Sequence, residues 1–553
     1  MAGGLMQLVA YGAQDVYLTG NPQITLFKVV YRRHTNFSME TIELTFDGNP
    51  DFGRRSTVTI NRHGDLVTEM YLRLTVDEVV MPPPPIGIAC QFAWVRRLGH
   101  AIIKSVEVEI GGSRIDKHYG VWLDIWFELA RQPDGGSDDR GYLIMIGDVP
   151  ELTTYSHDNK SPYTMFIPLQ FWFNRNYGLA LPLIALQYHE VRLHFEFAKA
   201  EDVIVADKEF KELAMKQLRI KDALLLVNYI YLDSEERRRF AQVGHEYLIE
   251  QLQFTGVESL QDMSNHYKLD FNHPVKEIIW AMKNGNYTNA KSFLYYTHLD
   301  DWTKILPDAA ELFLRQSIHF GGAPPGFPGT WQQFVPGTPG FTTNGKIYIN
   351  LDGTFVTNLY INTDSLMINN YSITDKICAV ITNRNSFLIK IDITDPGITV
   401  RDLSFSTDLI IDTRKTSDNV CINQCHNFGQ LVDGSINPIT HALIQFNGLD
   451  RFDKRNGAYF NYVQPEQHHS NTPKDGINTY SFALFPEQHQ PSGTANLSRI
   501  DNTKLQLWVN DNSFITGLPK LPMFAENNEL FIFSINYNVF RVMSGMAGLA
   551  YSN

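Results

Sequence analysis

Three clusters in this chain carry residue types that do chemistry, and each lacks a part the chemistry needs. Gly340-Phe-Thr-Thr-Asn-Gly345-Lys346 matches the opening of a phosphate-binding loop. That loop requires a Ser or Thr after the lysine for magnesium, and a helix whose N-terminus faces the phosphates. Ile347 follows instead, and the residues beyond it alternate as a strand does. His189-Glu190 with His194 has the residue types of a zinc-protease helix, but that motif needs its histidines at i and i+4. Here they stand at i and i+5 in a strand-like run, where odd separations point to opposite faces. Cys421, Cys425 and His426 offer three zinc-type ligands, with His468 or His469 as a fourth. No second ligand pair at the usual spacing accompanies them, and free thiols are the better account. No G-x-S-x-G nucleophile elbow occurs, and no carboxylate pair stands out as glycosidase acids. The residues predict no enzyme, no cofactor and no metal.

The chain is organised instead around Tyr480–Asp501, YSFALFPEQHQPSGTANLSRID. An apolar run stops at Pro486, a turn-rich segment follows, and Leu505-Gln-Leu-Trp-Val509 begins a new strand pattern. Pro491 fixes φ, Gly493 permits φ > 0, and Ser492, Thr494, Asn496 and Ser498 can bond the loop backbone. Pro486, Glu487, Gln490, Pro491, Ser492, Gly493, Thr494, Asn496 and Arg499 are therefore the candidates for an ordered turn near a subunit contact, with Arg499 as an ionic or backbone-bonding partner. Elsewhere the pattern is short and alternating: Thr41–Phe46, Ser56–Ile60, Met70–Val76, Ser105–Ile110 and Val191–Phe197 all show period 2 between Gly, Pro and Asn. Such strands predict an all-β sandwich or barrel. Helical signals are few: Lys208–Leu218, and a segment through Glu235–Phe240 capped by Asp233-Ser234.

An internal repeat divides the chain. The interval from Phe46 to Val67-Thr-Glu69 equals that from Phe254 to Val275-Lys-Glu277. Gly112 precedes Arg114-Ile-Asp-Lys-His-Tyr-Gly120 as Gly448 precedes Arg451-Phe-Asp-Lys-Arg-Asn-Gly457, with His100-Ala and His441-Ala upstream. Tyr163–Pro168 has a counterpart in Tyr480–Pro486. Two copies of one β-domain follow, with boundaries predicted as an arm at 1–30, a first domain at 31–232, a joint at 233–244 and a second domain at 245–553. Val275 to Arg451 is far longer than Val67 to Arg114, so the second copy carries an insertion at about 285–440. It includes β-like runs at Lys346–Ile349 and Phe387–Ile391, and a long insertion with its own strands is usually an exposed functional loop.

At 553 residues the chain is too long for one ordinary core. Its 43% hydrophobic and 12% aromatic content is that of a globular protein, and a net charge of -13 argues against a whole-surface nucleic-acid coat. The basic residues Arg54, Arg55, Arg62 and His63 are read as a solvated face. Cys90, Cys378, Cys421 and Cys425 are too sparse for a disulfide framework and fit a reducing compartment. The N-terminus lacks a basic n-region, and the longest apolar run, Ala223–Leu232, is too short to span a bilayer. Asn36, Asn286, Asn370 and Asn496 begin N-x-S/T sequons, which without a secretory signal are more often coincidence than acceptors.

The anchor stretch, the N-terminal GGLMQLVAYGAQDVYLTGNPQIT, Val275–Trp280, Arg451–Asn461 and the terminal Asn536–Asn553 together resemble the major capsid proteins of nucleocytoplasmic large DNA viruses. The resemblance implies two tandem eight-stranded antiparallel jelly-roll β-sandwiches with few short helices and a long β-rich insertion in the second. It also implies homotrimeric, pseudo-hexameric capsomers that tile an icosahedral shell around a DNA genome. The partners implied are further copies of the chain, minor capsid and penton proteins, and an inner membrane reached by the N-terminal arm, with no sequence-specific nucleic-acid binding. Assembly is expected in the host cytoplasm. A carbohydrate- or receptor-binding jelly roll of a spike or fibre is the alternative, and a jelly-roll enzyme a third class.

Overall fold

The computed structural model describes, short gaps apart, residues 31–81, 92–131, 139–206, 214–283, 437–509 and 528–551, with parts of 6–22 and isolated strands between 295 and 429. Eight strands build the first half: β1 (Phe37–Thr45), β2 (Arg55–Ile60), β3 (Leu66–Val76), β4 (Ile103–Ile110), β5 (Ser113–Tyr119), β6 (Tyr163–Pro168), β7 (Val191–Phe197) and β8 (Ile220–Leu232). They form two antiparallel sheets, ordered β1-β8-β3-β6 and β2-β7-β4-β5. The period-2 runs put alternate side chains between these sheets, as at Val58, Leu72, Leu74, Val108, Leu193 and Leu225.

The second half repeats the plan. Its strands are β9 (His245–Phe254), β10 (Ser264–Lys268), β11 (Pro274–Lys283), β12 (Ile439–Phe446), β13 (Leu449–Asp450), β14 (Ile477–Ser481), β15 (Thr503–Val509) and β16 (Glu529–Met543). The sheet orders are β9-β16-β11-β14 and β10-β15-β12-β13, the first pair of orders with eight added to every strand. Both halves are thus jelly rolls of one topology, and the fold is the expected all-β double roll.

The sequence repeat falls on matching elements, though not residue for residue. The turns at Gly112 and Gly448 each join the fourth strand of a roll to its fifth. Gly120 and Gly457 are true equivalents. A Cβ on Gly120 would lie 2.2 Å from the carbonyl of Ile103, and one on Gly457 1.9 Å from that of Ile439, the first residue of the corresponding strand. Phe46 and Phe254 do not correspond: Phe46 faces the interior of its roll, whereas Phe254 lies on the outer side of its sheet. His100 precedes β4 in a short helix, but His441 lies within β12.

Two helices stand where the rolls meet. α1 (Gly120–Ala130) leaves β5, and α2 (Ser234–Gln242) joins the halves. α2 begins as expected, with Asp233 accepting bonds from the amides of Glu235 and Glu236 at 2.9 and 3.0 Å. Of the other expected helix, residues 214–217 are helical, Leu218 lies just past the helix end, and 208–213 lie outside the described residues. In the insertion, Gly345–Leu351 pairs with Thr354–Ile361, and Ile377–Asn383, Ser386–Ile391 and Asp402–Ser406 form a three-stranded sheet. Lys346 therefore opens into a strand and not the helix a phosphate-binding loop needs.

Candidate functional site

The groups singled out for catalysis go to separate, structural partners. His194, on β7, contacts Thr57 Oγ1 at 2.8 Å and Glu109 Oε2 at 3.0 Å, while His189 accepts from the amide of Ala547 at 3.1 Å. Cys425 lies outside the described residues. His426 turns toward Asp124, 3.9 Å away, and burial pushes its imidazole down to about 3. His469 faces Glu277 and Glu487. Arg54, Arg55, Arg62 and His63 are all exposed, as a solvated face requires, and Arg62 also donates to the carbonyl oxygens of Leu186 and Gln187.

The densest chemistry lies at the joint between the rolls. One face of α1 enters its own core through Leu123, and the other, with Trp122, Ile125, Trp126 and Leu129, packs on the outer face of the β9-β16-β11-β14 sheet. Ile279, Ala281, Phe531, Phe533 and Ile535 receive it. Each large side chain so buried contributes about 2 kcal/mol. This sheet is consequently apolar on both faces: Ile278, Trp280 and Ile532 fill the second roll's interior. Arg97, at φ 51°, pins the base of α1 through Asp124 at 2.8 Å and through Glu128.

A buried ionic chain continues from this packing to the anchor stretch. Arg175 of the first roll lies 4.9 Å over the Trp126 ring and pairs with Glu250 on β9 at 2.5 Å. Glu250 also pairs with Lys276 on β11 at 2.6 Å, and Lys276 donates onward to the carbonyl of Pro486. Burial would raise Glu250, but Arg175 and Lys276 outweigh it and hold the carboxylate below its usual range. Burial draws the Lys276 ammonium below its usual value against the pull of Glu250. A β-bulge between Val275 and Glu277 lets the neighbouring Glu277 face His469 at 2.8 Å. His469 in turn meets Glu487 at 3.0 Å, and Glu487 also accepts from the Ser470 amide at 2.9 Å.

Of the turn candidates, Pro486 and Glu487 thus join this network. Ser492 Oγ accepts from the Phe485 amide at 2.9 Å, and Asn496 Oδ1 from the Ser498 amide at 3.1 Å. Gly493 has φ 140°, and a Cβ there would sit 2.6 Å from the carbonyl of Phe482. Gln490, Pro491, Thr494 and Arg499 are exposed, and among the described residues Arg499 makes no side-chain ion pair or hydrogen bond. Asn36 and Asn496 are also exposed; Asn286 and Asn370 lie outside the described residues. Sequence reasoning missed α1 altogether. Its signal was Trp122, Trp126 and Leu129 on one stripe beside Asp124 and Glu128 at i, i+4.

Residues 236–548 match the family model of the large eukaryotic DNA virus major capsid protein, and residues 25–233 match that of the major capsid protein N-terminus. The chain belongs to the large eukaryotic DNA virus major capsid proteins. Capsid protein 1 of Acanthamoeba polyphaga mimivirus is 45% identical over 605 residues, with both chains covered in full. The major capsid protein of Phaeocystis pouchetii virus is 40% identical over 581 residues, again with full coverage of both. Among solved structures, the quasi-atomic model of the PBCV-1 virus capsid matches at a TM-score of 0.60 and 29% identity, over 96% of this chain and 100% of that one. The Faustovirus major capsid protein, at 12% identity and a TM-score of 0.57, covers 98% of this chain and 96% of its own, and shows the fold. As a capsid protein this chain has a structural role in the virion, and its relatives are structural proteins, not enzymes. Its working chemistry is the packing and ion pairing just described.

Proposed function

We propose that this capsid protein assembles as a homotrimer, a pseudo-hexameric capsomer that tiles an icosahedral shell around a DNA genome. The observation that carries this reading is the repeated strand order: three chains, each with two rolls of one topology held by a buried joint, supply six similar lobes. On this reading the chain divides into an arm at 1–30, rolls at 31–232 and 245–553 around a joint at 233–244, and an outward-facing insertion at about 285–440. The stretch Pro486–Arg499 orders the second roll's edge beside a subunit contact. The arm carries exposed Met6, Leu8, Tyr17 and Leu18, apolar side chains available to neighbouring capsomers, minor capsid and penton proteins, or an inner membrane. Assembly takes place in the host cytoplasm. Light scattering on the purified chain, followed by electron microscopy, tests the reading: three-chain particles with three-fold symmetry are expected. A species that stays a single chain at all concentrations overturns it.

A further inference from the structure

His469 stands just past a short helix of the second roll, α3 (Gln464–His468), between two carboxylates. Its Nδ1 meets Glu487 Oε1 at 3.0 Å and its Nε2 meets Glu277 Oε2 at 2.8 Å, with the His469 and Glu277 side chains both at 0% exposure. An ionised carboxylate accepts hydrogen bonds and donates none, and a neutral imidazole carries one N–H. Both contacts therefore exist together only while the ring is an imidazolium. Glu277 belongs to β11 and Glu487 to the loop beyond β14, so a single proton ties that loop to the sheet.

The loop has little else to hold it. Backbone bonds fix its two ends: the amides of Phe482 and Ala483 donate to the Lys276 carbonyl at 2.7 and 3.2 Å, and that of Leu497 to the His273 carbonyl at 3.1 Å. Within residues 484–494 Pro486 alone is buried, and Leu484 and Phe485 are 63% and 53% exposed. Among the described residues, four side chains or amides of the roll's body reach this segment with hydrogen bonds. Lys276 donates to the Pro486 carbonyl and His468 to that of Leu484 at 3.0 Å, while His469 and Ser470 take Glu487. Polar pins and not apolar packing keep the segment down, so its attachment follows charge and can be lost without the roll.

We propose that residues 484–494 are a latch, closed by the His469 imidazolium and opened when the ring loses its proton, while both rolls stay folded. Burial disfavours the charge on His469, but Glu277 and Glu487 outweigh it and hold the imidazole up to about 9. Closure is therefore complete below the ordinary 6.5 of the ring and lost as pH rises past about 9. Burial would raise Glu487, but His469 and Ser470 outweigh it, so this carboxylate stays charged throughout that range. When the proton leaves, the remaining N–H stays with Glu277, which is shut off from solvent. Glu487, 17% exposed, is left to Ser470 alone. The other titrating groups at the segment do not open it in alkali. Burial draws the Lys276 ammonium down against Glu250, with Arg175 acting in the same sense as burial, so rising pH relieves a buried charge and the neutral amine still donates to Pro486. Burial also lowers His489, with Lys276 and Arg175 opposing the pull of Glu250, so its charge enters only as pH falls. Opening moves Leu484 and Phe485, which makes the position of an exposed apolar pair depend on pH in the single chain, whether or not three chains associate.

Pulse-labelled hydrogen exchange of the purified full chain, read by mass spectrometry and corrected for the intrinsic rate, tests the latch. From about pH 7 to about pH 10 the protection of the 484–494 amides is expected to fall about tenfold to a hundredfold, while amides of β3, β11 and β16 keep theirs. Constant protection over 484–494 overturns the proposal. So does a parallel loss in the strands, since that is unfolding of the rolls. Glu487→Gln should stay closed in alkali, because its amide can donate to the neutral imidazole while its carbonyl still accepts from Ser470; a fall as large as in the unaltered chain overturns the role of the proton. His469→Gln should show the opened level of protection already at about pH 7, and protection at the closed level there overturns the pin. Where a variant fails to fold, the pH profile of the unaltered chain decides.

Discussion

Glu69 and Glu277 occupy one position of the repeat and differ in everything around them. Glu69 is half-exposed and accepts from Tyr177 at 2.8 Å and Asn228 at 3.0 Å. Glu277 is fully buried against His469. Burial opposes the charge on His469, but Glu277 and Glu487 outweigh it and hold the imidazole up to about 9, above its ordinary 6.5. A raised histidine stabilises the fold fully below its unfolded value and ceases to as pH passes its folded value. The melting temperature should therefore fall between about pH 6.5 and pH 9, and His469→Gln should flatten that fall; an unchanged slope in the variant would remove His469 from the account. At Gly493, φ 140° and the carbonyl of Phe482 exclude a side chain. Gly493→Val should cost about 2 kcal/mol or more, measured by chemical denaturation, along with the yield of soluble trimer. The glycine, the prolines and the capping aspartate were legible because each acts on its own backbone. The partners of His469 and Lys276 were not, since they come from strands and loops distant in sequence.

The strands were the easiest elements to read, because alternation survives wherever one face of a sheet meets a core. β7 was found to the residue and β3 in large part. β11 and β16 hide their period, since α1 covers the face that would otherwise be polar. α1 was missed for a related reason: its stripe of Trp122, Trp126 and Leu129 is flanked by Leu123 and Phe127, so a helix pressed between two rolls shows a weaker contrast between its faces than an amphipathic surface helix does. The repeat found the right elements through its glycines, Gly120 and Gly457 by close approach to a carbonyl and Gly112 and Gly448 by their positive φ, while Phe46, Phe254, His100 and His441 matched by chance of spacing. Trp126→Ala removes the side chain shared by the apolar joint and Arg175. The expected cost is about 3–5 kcal/mol. Calorimetry should show a lower Tm and, once the rolls uncouple, two transitions in place of one; a single unshifted transition would show that the ionic chain holds the joint unaided.

For the whole molecule, the long motifs at both ends and in the anchor identified the family, and the double roll followed. The latch could not be read the same way, because His469, Glu277 and Glu487 meet only after folding. Removing residues 1–25 should leave the three-chain particle intact and impair shell assembly, visible as capsomers without closed shells in electron micrographs; a chain that becomes monomeric would give the arm a part in the trimer itself. The joint also sets a schedule for synthesis. β16 lies between β9 and β11 in its sheet, yet it is the last long strand to leave the ribosome. Trp122 and Trp126 emerge roughly 400 residues earlier and, at ~5–20 residues per second, wait tens of seconds for the surface that covers them. For most of that interval β11 alone has emerged to meet the helix through Ile279 and Ala281, and its cover stays incomplete until Phe531, Phe533 and Ile535 follow.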